Sequence, residues 1–188
     1  MPRRVAPPSL ADAIYRQLKE DIFEFRLLPG DRFSEGDVAE RMAASRTPVR
    51  QALYRLQREG QVHFRSGWQV SPLDFERFEE LYDLRTVLEL EAVRRLCLRP
   101  EFEQHPTLLQ LGRTWLVQPE QRLHDGKAVS LLDEQFHCLL VEAGGNREMA
   151  RVHQQVTEQI RILRRLDFTQ RPRITATYDE HGRILGAI

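Results

Sequence analysis

The segment LLDEQFHCLL sets Asp133 and His137 four residues apart. On a helix that spacing puts a carboxylate and an imidazole on one face, where both can bite the same metal ion. The same spacing also suits a side-chain hydrogen bond, so the pair alone leaves both readings open. His181, in YDEHGRIL, is a further helical histidine, a residue type that is usually exposed or satisfied within a core. A second group with chemistry in it is SRTPVRQAL, where Arg46 and Arg50 stand on either side of Thr47 and Pro48. With Val49 facing a core, the two arginines share one flank, about 40° apart round the helix axis. Arg46 then falls in the first turn, where free backbone N–H groups and the positive helix end favour phosphate. The planar arginine fork grips a phosphate or a guanine edge at two points. The alternative is a solvated, arginine-rich helix face.

Charge patterning favours the first of these. The 188 residues carry 28 basic and 28 acidic side chains, yet six arginines and a single acid, Glu59, lie between Arg41 and Arg65. A basic patch on a neutral chain marks one anionic partner docking in one place. Cys97 and Cys138 are the only cysteines, too few for a disulfide framework or a paired zinc motif, so a reducing, cytoplasmic setting is expected. The sequence has no apolar run of membrane-spanning length, and MPRRVAPPSL lacks the apolar stretch of a signal peptide. Residues 1–9 are expected to form a flexible arm.

The elements that must position these residues are legible in part. Ala11, Ile14, Leu18, Ile22 and Phe25 recur at helical spacing over roughly 10–26. Pro29-Gly30 marks a turn, and Ser34 with Asp37 starts a second helix with Val38 and Met42 on its apolar face. Pro48 is tolerated only in a first turn, so Ser45 or Thr47 caps a third helix with Val49, Ala52, Leu53 and Leu56 as its buried stripe. QVHFRSGWQV reads as two short strands round an Arg-Ser-Gly turn. Three helices and a hairpin make a winged helix-turn-helix over 10–72, with Arg46, Thr47 and Arg50 nearest a major groove and Arg65 at the hairpin tip. From residue 73 the pattern is helical throughout, with a long helix from about residue 73 and others at roughly 101–117, 120–143, 146–168 and 171–188. The fold expected is mostly α: a winged helix-turn-helix followed by an all-α bundle over 73–188.

The stretch LLPGDRFSEGDVAERMAASRTPVRQALYRLQREG resembles the DNA-binding domain of the GntR family of bacterial transcription regulators. The resemblance implies that Arg46 and Arg50 are the main DNA contacts, assisted by Thr47 and by Arg65, Ser66 and Gly67 at the hairpin tip. Gly36 stands where many relatives carry an arginine, and FRSGWQV is a shorter hairpin than usual. Further on, YDLRTVLELEAV, DEQFH, AGGN and EHGRILGAI come in the order of the FCD-type effector domain of one GntR subfamily. That resemblance implies a divalent metal held by one aspartate and three histidines, with Asp133, His137 and His181 as the first three ligands. The fourth would lie about twenty residues past His181, and since the sequence ends at Ile188 inside an apolar pattern, a last helix is expected to be missing. It also implies that Arg85 faces the effector cavity, although Arg85 equally suits an ion pair with Glu89 at i+4.

Histidine and carboxylate ligands suit zinc or nickel, and open positions on such an ion suit a small organic acid. The reading is a ligand-responsive regulator, not an enzyme, acting as a homodimer on double-stranded operator DNA, with no membrane association. One alternative keeps the DNA binding but makes the metal purely structural or sensed. Another is a metalloenzyme with Glu134 as base, although Glu134 lies about 100° from Asp133 round the helix. Cys138 is a poor co-ligand of His137 for the same reason, and His153 is a reserve ligand only if His181 is misplaced. Met149, Val152, Val156, Ile160 and Leu163 read as a core or dimer stripe, and Trp68 and Trp115 as residues able to anchor an interface.

Overall fold

The computed structural model describes residues 9–99 and 104–188. The expected arm and the expected start of a helix at residue 101 lie outside the described residues, apart from Ser9. The chain forms two compact units, Met1–Asp74 and Phe75–Ile188.

In the first unit, α1 (Leu10–Phe23) starts on a reciprocal cap between Ser9 and Asp12 and buries Ile14, Tyr15, Leu18 and Ile22. It stops three residues short of the expected end. Phe25 takes φ 57°, and the Arg26 and Leu27 amides both return to the Asp21 carbonyl, closing the last turn. The second helix, α2 (Glu35–Arg41), carries the expected Ser34–Asp37 cap. Helix α3 (Arg46–Arg58) begins at Ser45, which uses no side-chain cap, and Pro48 sits in its first turn. Val49, Ala52, Leu53 and Leu56 are buried, as the periodicity requires.

The hairpin consists of β2 (Val62–Phe64) and β3 (Trp68–Val70), with Arg65, Ser66 and Gly67 as its tip. Gly67 has φ 148°, a backbone conformation that side-chain-bearing residues rarely adopt. One strand escaped the sequence reading. β1 (Arg32–Phe33) pairs antiparallel with β3, giving a three-stranded sheet in the order β1-β3-β2. Two residues are too few to show an alternating pattern. Trp68 is not an interface anchor. It is 2% exposed, with its ring edge-on to Tyr54 of α3 and Phe64.

The second unit is all-helical. It contains α4 (Phe75–Cys97), α5 (Pro106–Trp115), α6 (Gly126–Ala143), α7 (Arg147–Asp167) and α8 (Arg171–Ala187), with a short 3-10 turn at Pro119–Gln121. Helix α6 packs against the other four. The expected helix over 120–143 is therefore split, because Asp125 caps a new start at Gly126. A Cβ on Gly126 would stand 2.2 Å from the Phe168 carbonyl oxygen, so only glycine allows that approach. Leu96, Leu111, Trp115, Phe136, Leu140 and Tyr178 share one core. Trp115 thus belongs to the interior and is no surface anchor either. On α7 the buried stripe is His153, Val156, Thr157 and Ile160, while Met149, Val152 and Leu163 are only half-buried. The stripe is rotated from the one periodicity suggested because polar residues were left out of that count.

Candidate functional site

Two groups of side chains carry chemistry, one in each unit. On α3, Arg46, Thr47 and Arg50 are all exposed on the first turns, and Arg65 and Ser66 are exposed at the hairpin tip. Arg55, which shares the basic stretch, is turned to structural use, with its guanidinium over the Tyr15 ring and in an ion pair with Asp12.

Arg50 is not a free side chain. Its Nε and Nη2 donate to Glu35 Oε1 and Oε2 at 3.0 and 2.8 Å. The Trp68 indole N–H points at the same carboxylate from 3.5 Å. Arg50 holds the Glu35 carboxyl below the usual carboxylate range, against the opposing pull of burial. An exposed pair of this kind adds little stability. What it does is fix the direction of the guanidinium. Sequence reasoning missed Glu35, because an acid in the first turn of α2 looks like any partner of the helix dipole.

In the helical unit, a cavity of about 320 Å³ is lined by residues that include Arg85, Glu89, Asp133, His137, Arg164 and His181. Three of the expected site residues converge there. His181 Nε2 lies 3.2 Å from Asp133 Oδ1, His137 Nε2 lies 3.6 Å from the same oxygen, and the two ring nitrogens are 3.3 Å apart. Ligands about 2.1 Å from one ion and about 90–110° apart are separated by ~3.0–3.4 Å. Two sides of the triangle fall in that range and the third, at 3.6 Å, lies just outside it, so Asp133, His137 and His181 are the residues that would hold a divalent cation.

The protonation states agree with that fit. Burial, and then the neighbouring His137, push the His181 pKa down to about 3. Burial also lowers His137, although Glu89 pulls the other way. Neutral imidazoles are the form in which a ring nitrogen can ligate. The His181 ring stacks on Phe136 at 3.8 Å and meets the edge of Trp115 at 4.1 Å, so aromatic packing fixes its orientation.

Arg85 is 4% exposed and lines the cavity. Its Nε donates to Glu89 Oε1 at 2.6 Å, as the i+4 spacing allows, and its Nη1 is buried with no hydrogen-bond partner. Glu89 emerges as a junction that the sequence did not reveal. The same oxygen is 2.9 Å from His153 Nε2 and 3.0 Å from His137 Nδ1, the latter off hydrogen-bond alignment. Burial pushes the Glu89 carboxyl up, but His137, His153 and the Arg85 charge outweigh it and hold it far below the ordinary range.

His153 is thereby committed to Glu89 and is no metal ligand. Glu134 is ion-paired with Arg161 and does not line the cavity, which removes the base the enzyme reading needed. Cys138 points to Gln154, and burial raises its thiol to about 11. Arg164, on α7 one turn past Ile160, pairs with Asp133. An arginine continuing a buried stripe was the signal that could have found it.

Comparison with known proteins agrees with both halves. Residues 10–70 match the description "Bacterial regulatory proteins, gntR family", and residues 80–188 match the FCD domain. The HTH-type transcriptional regulator YdhC of Bacillus subtilis is 31% identical over 175 residues, covering 90% of this chain and 76% of its own. The Nta operon transcriptional regulator of Aminobacter aminovorans is 33% identical over 153 residues, covering 79% and 70%. Among solved structures, a GntR transcriptional regulator from Rhodococcus sp. RHA1 superposes with a TM-score of 0.70 at 19% identity, over 94% of this chain and 86% of that one. These relatives are regulators, not enzymes, and among the described residues no helix is long and apolar enough to cross a membrane. The chain belongs to the GntR family of bacterial regulatory proteins, as a DNA-binding transcription regulator whose helical half is an FCD effector domain.

Proposed function

We propose that this regulator binds a small organic acid in the cavity of its helical domain, assisted by a divalent metal, zinc or nickel, on Asp133, His137 and His181. The observation that carries the reading is that one cavity holds both the converging N/O triad and a buried guanidinium, Arg85, with an unpartnered Nη1. When bound, such an ion supplies a positive centre with open positions for a carboxylate. The residues of the chain do the rest. Arg85 takes the remaining polar end of the acid in a charge-assisted pair. Glu89 orients Arg85, and its carboxylate stands 3.0 Å from His137 Nδ1, on the side of that ring away from the triad. Phe136 and Trp115 hold the His181 ring in register.

In the DNA-binding half, Arg46, Thr47 and Arg50 would meet bases and phosphates in the major groove, and Arg65, Ser66 and Gly67 the neighbouring backbone. Domains 10–72 and 73–188 then divide the labour between reading DNA and sensing the acid. Regulators of this family bind operator DNA, typically as dimers, and a homodimer on a partly palindromic operator supplies both affinity and half-site spacing. The acid alters DNA binding only so far as it binds one arrangement of the dimer more tightly than the other.

Arg50→Ala is expected to weaken operator binding by about 1–3 kcal/mol, measured by fluorescence anisotropy on a fragment selected by the wild-type protein. Unchanged affinity at moderate salt removes Arg50 from the interface.

The acid reading is tested by thermal stability of the whole chain against a panel of small carboxylic acids, with and without a chelator. An acid at about 100 times its dissociation constant adds roughly 2.7 kcal/mol, at about 2–4 °C per kcal/mol. The shift should vanish with the chelator and in Arg85→Ala. A chelator effect with no response to any acid would favour a structural metal instead.

A further inference from the structure

Between Arg50 and the hairpin tip lies a strip that the proposed function leaves unused. Tyr54 on α3 and Phe64 on β2 are 54% and 55% exposed, and no other aromatic side chain of the first unit is exposed among the described residues. Both rings lean edge-on against one buried residue, Trp68, at 5.7 and 5.3 Å between centres. Phe64 and Trp68 are direct partners across β2 and β3, so their side chains leave the sheet on the same face. The Trp68 indole N–H points at Glu35, which in turn holds Arg50. One interior side chain thereby steadies three exposed ones.

The order along this strip is cation, ring, ring, cation. Arg50 and Tyr54 stand four residues apart on α3 and share a face, and Arg65 follows Phe64 directly at the tip. Isolated exposed apolar residues are ordinary on a protein surface, but adjacent rings on a fixed support form a patch. The edge contacts with Trp68 occupy one side of each ring and leave the other to solvent. A partner with the matching alternation is the backbone of duplex DNA, in which phosphates are separated by deoxyriboses with apolar C–H edges. The cations at the two ends of the strip meet phosphates, and the rings between them meet the sugar. A purely apolar partner would leave both arginines without an anion.

We infer that Tyr54 and Phe64 form a sugar-packing step of the DNA interface, which seats one strand of the duplex backbone between α3 and the hairpin and adds affinity without reading sequence. The strip's role rests on the DNA contacts proposed above for Arg50 and Arg65. It extends them to two uncharged residues whose contribution does not depend on salt.

The full chain is titrated by fluorescence anisotropy against the operator fragment selected by the wild-type protein and against a duplex of unrelated sequence, each over a range of salt. Tyr54→Ser and Phe64→Ser should each weaken binding to both duplexes by the same factor, roughly five- to tenfold, the scale for covering the exposed half of an aromatic ring. The slope of log affinity against log salt should stay as in wild type, because no phosphate contact is lost. Arg65→Ala gives the contrast, weaker binding with a shallower slope. Tyr54→Phe and Phe64→Tyr, which restore a ring, should recover most of the affinity that serine loses. Rings that serve only the fold would lower the melting midpoint and leave the affinity of the folded protein unchanged, which overturns the inference. A loss confined to the operator would put the rings on base edges and overturns it as well, as does a changed salt slope in the serine variants. If the serine variants do not fold, hydroxyl-radical oxidation of the wild type decides: operator DNA should shield Tyr54 and Phe64, and undiminished oxidation of both overturns the inference. Arg50→Ala separates the two levels. Wild-type affinity in that variant removes the reading of α3 and the strip's role with it. Weakened binding in Arg50→Ala, with none in the serine variants, removes the strip alone.

Discussion

Asp133→Asn is expected to abolish the chelator-sensitive thermal shift and to lower stability by about 3–5 kcal/mol even with chelator present. Asparagine matches the volume of aspartate, so packing on α6 is kept and the change is almost wholly electrostatic. The lost charge leaves the Arg164 guanidinium in a largely buried place without its counter-ion. Removing one partner of a buried pair costs far more than the pair itself contributes, because the survivor keeps its desolvation penalty. The metal effect is separate: with the Asp133 carboxylate replaced by a neutral amide, two imidazoles face each other 3.3 Å apart with no anionic ligand beside them. Urea unfolding in chelator isolates the first effect, and metal titration isolates the second. A variant with a wild-type urea midpoint would mean that Arg164 swings to water at little cost. A variant with the wild-type metal response would mean that the ion sits elsewhere.

Trp115→Ala is the second large effect, expected at about 3–5 kcal/mol, as for a large aromatic cut out of a core. The indole is 2% exposed and has Tyr178 at 4.9 Å, Phe136 at 5.8 Å and His181 at 4.1 Å between ring centres. Its loss both opens a cavity and frees one side of the His181 ring. The melting midpoint should drop by roughly 6–20 °C, at about 2–4 °C per kcal/mol, and the metal response should weaken together with it. Trp115→Phe, which refills most of the space, should recover the larger part of both. A midpoint unchanged in Trp115→Ala would remove the aromatic packing from the list of what holds His181.

Much of the first unit was legible because its signals are local. The Ser34–Asp37 cap joins residues only three apart, and Pro48 can occupy only a first turn. Val49, Ala52, Leu53 and Leu56 mark the buried side of α3 by spacing alone, which leaves Arg46 and Arg50 on the outside. The two-residue strand β1 was invisible, since its existence depends on β3 being brought beside it. In the helical unit the i, i+4 rule put Asp133 and His137 on one face of α6, and an equally local rule paired Arg85 with Glu89. Neither rule could say that His181, forty-four residues beyond His137, would turn its Nε2 to the same point.

By itself, then, the sequence determined which residues form helices, which faces of those helices are apolar, and which charges must stay outside. Those properties follow from the 3.6-residue period, from capping and from proline, all of which act over a few residues. The tertiary structure alone decided the partners: Glu35 with Arg50, Glu89 with both His137 and His153, and Arg164 with Asp133. A pairing between side chains on different helices is set by how the helices pack, and packing is decided by the shape of the whole core. That is why the sequence, through its family resemblance, could name Asp133, His137 and His181 as candidate ligands, while the residues around them came into view only in three dimensions.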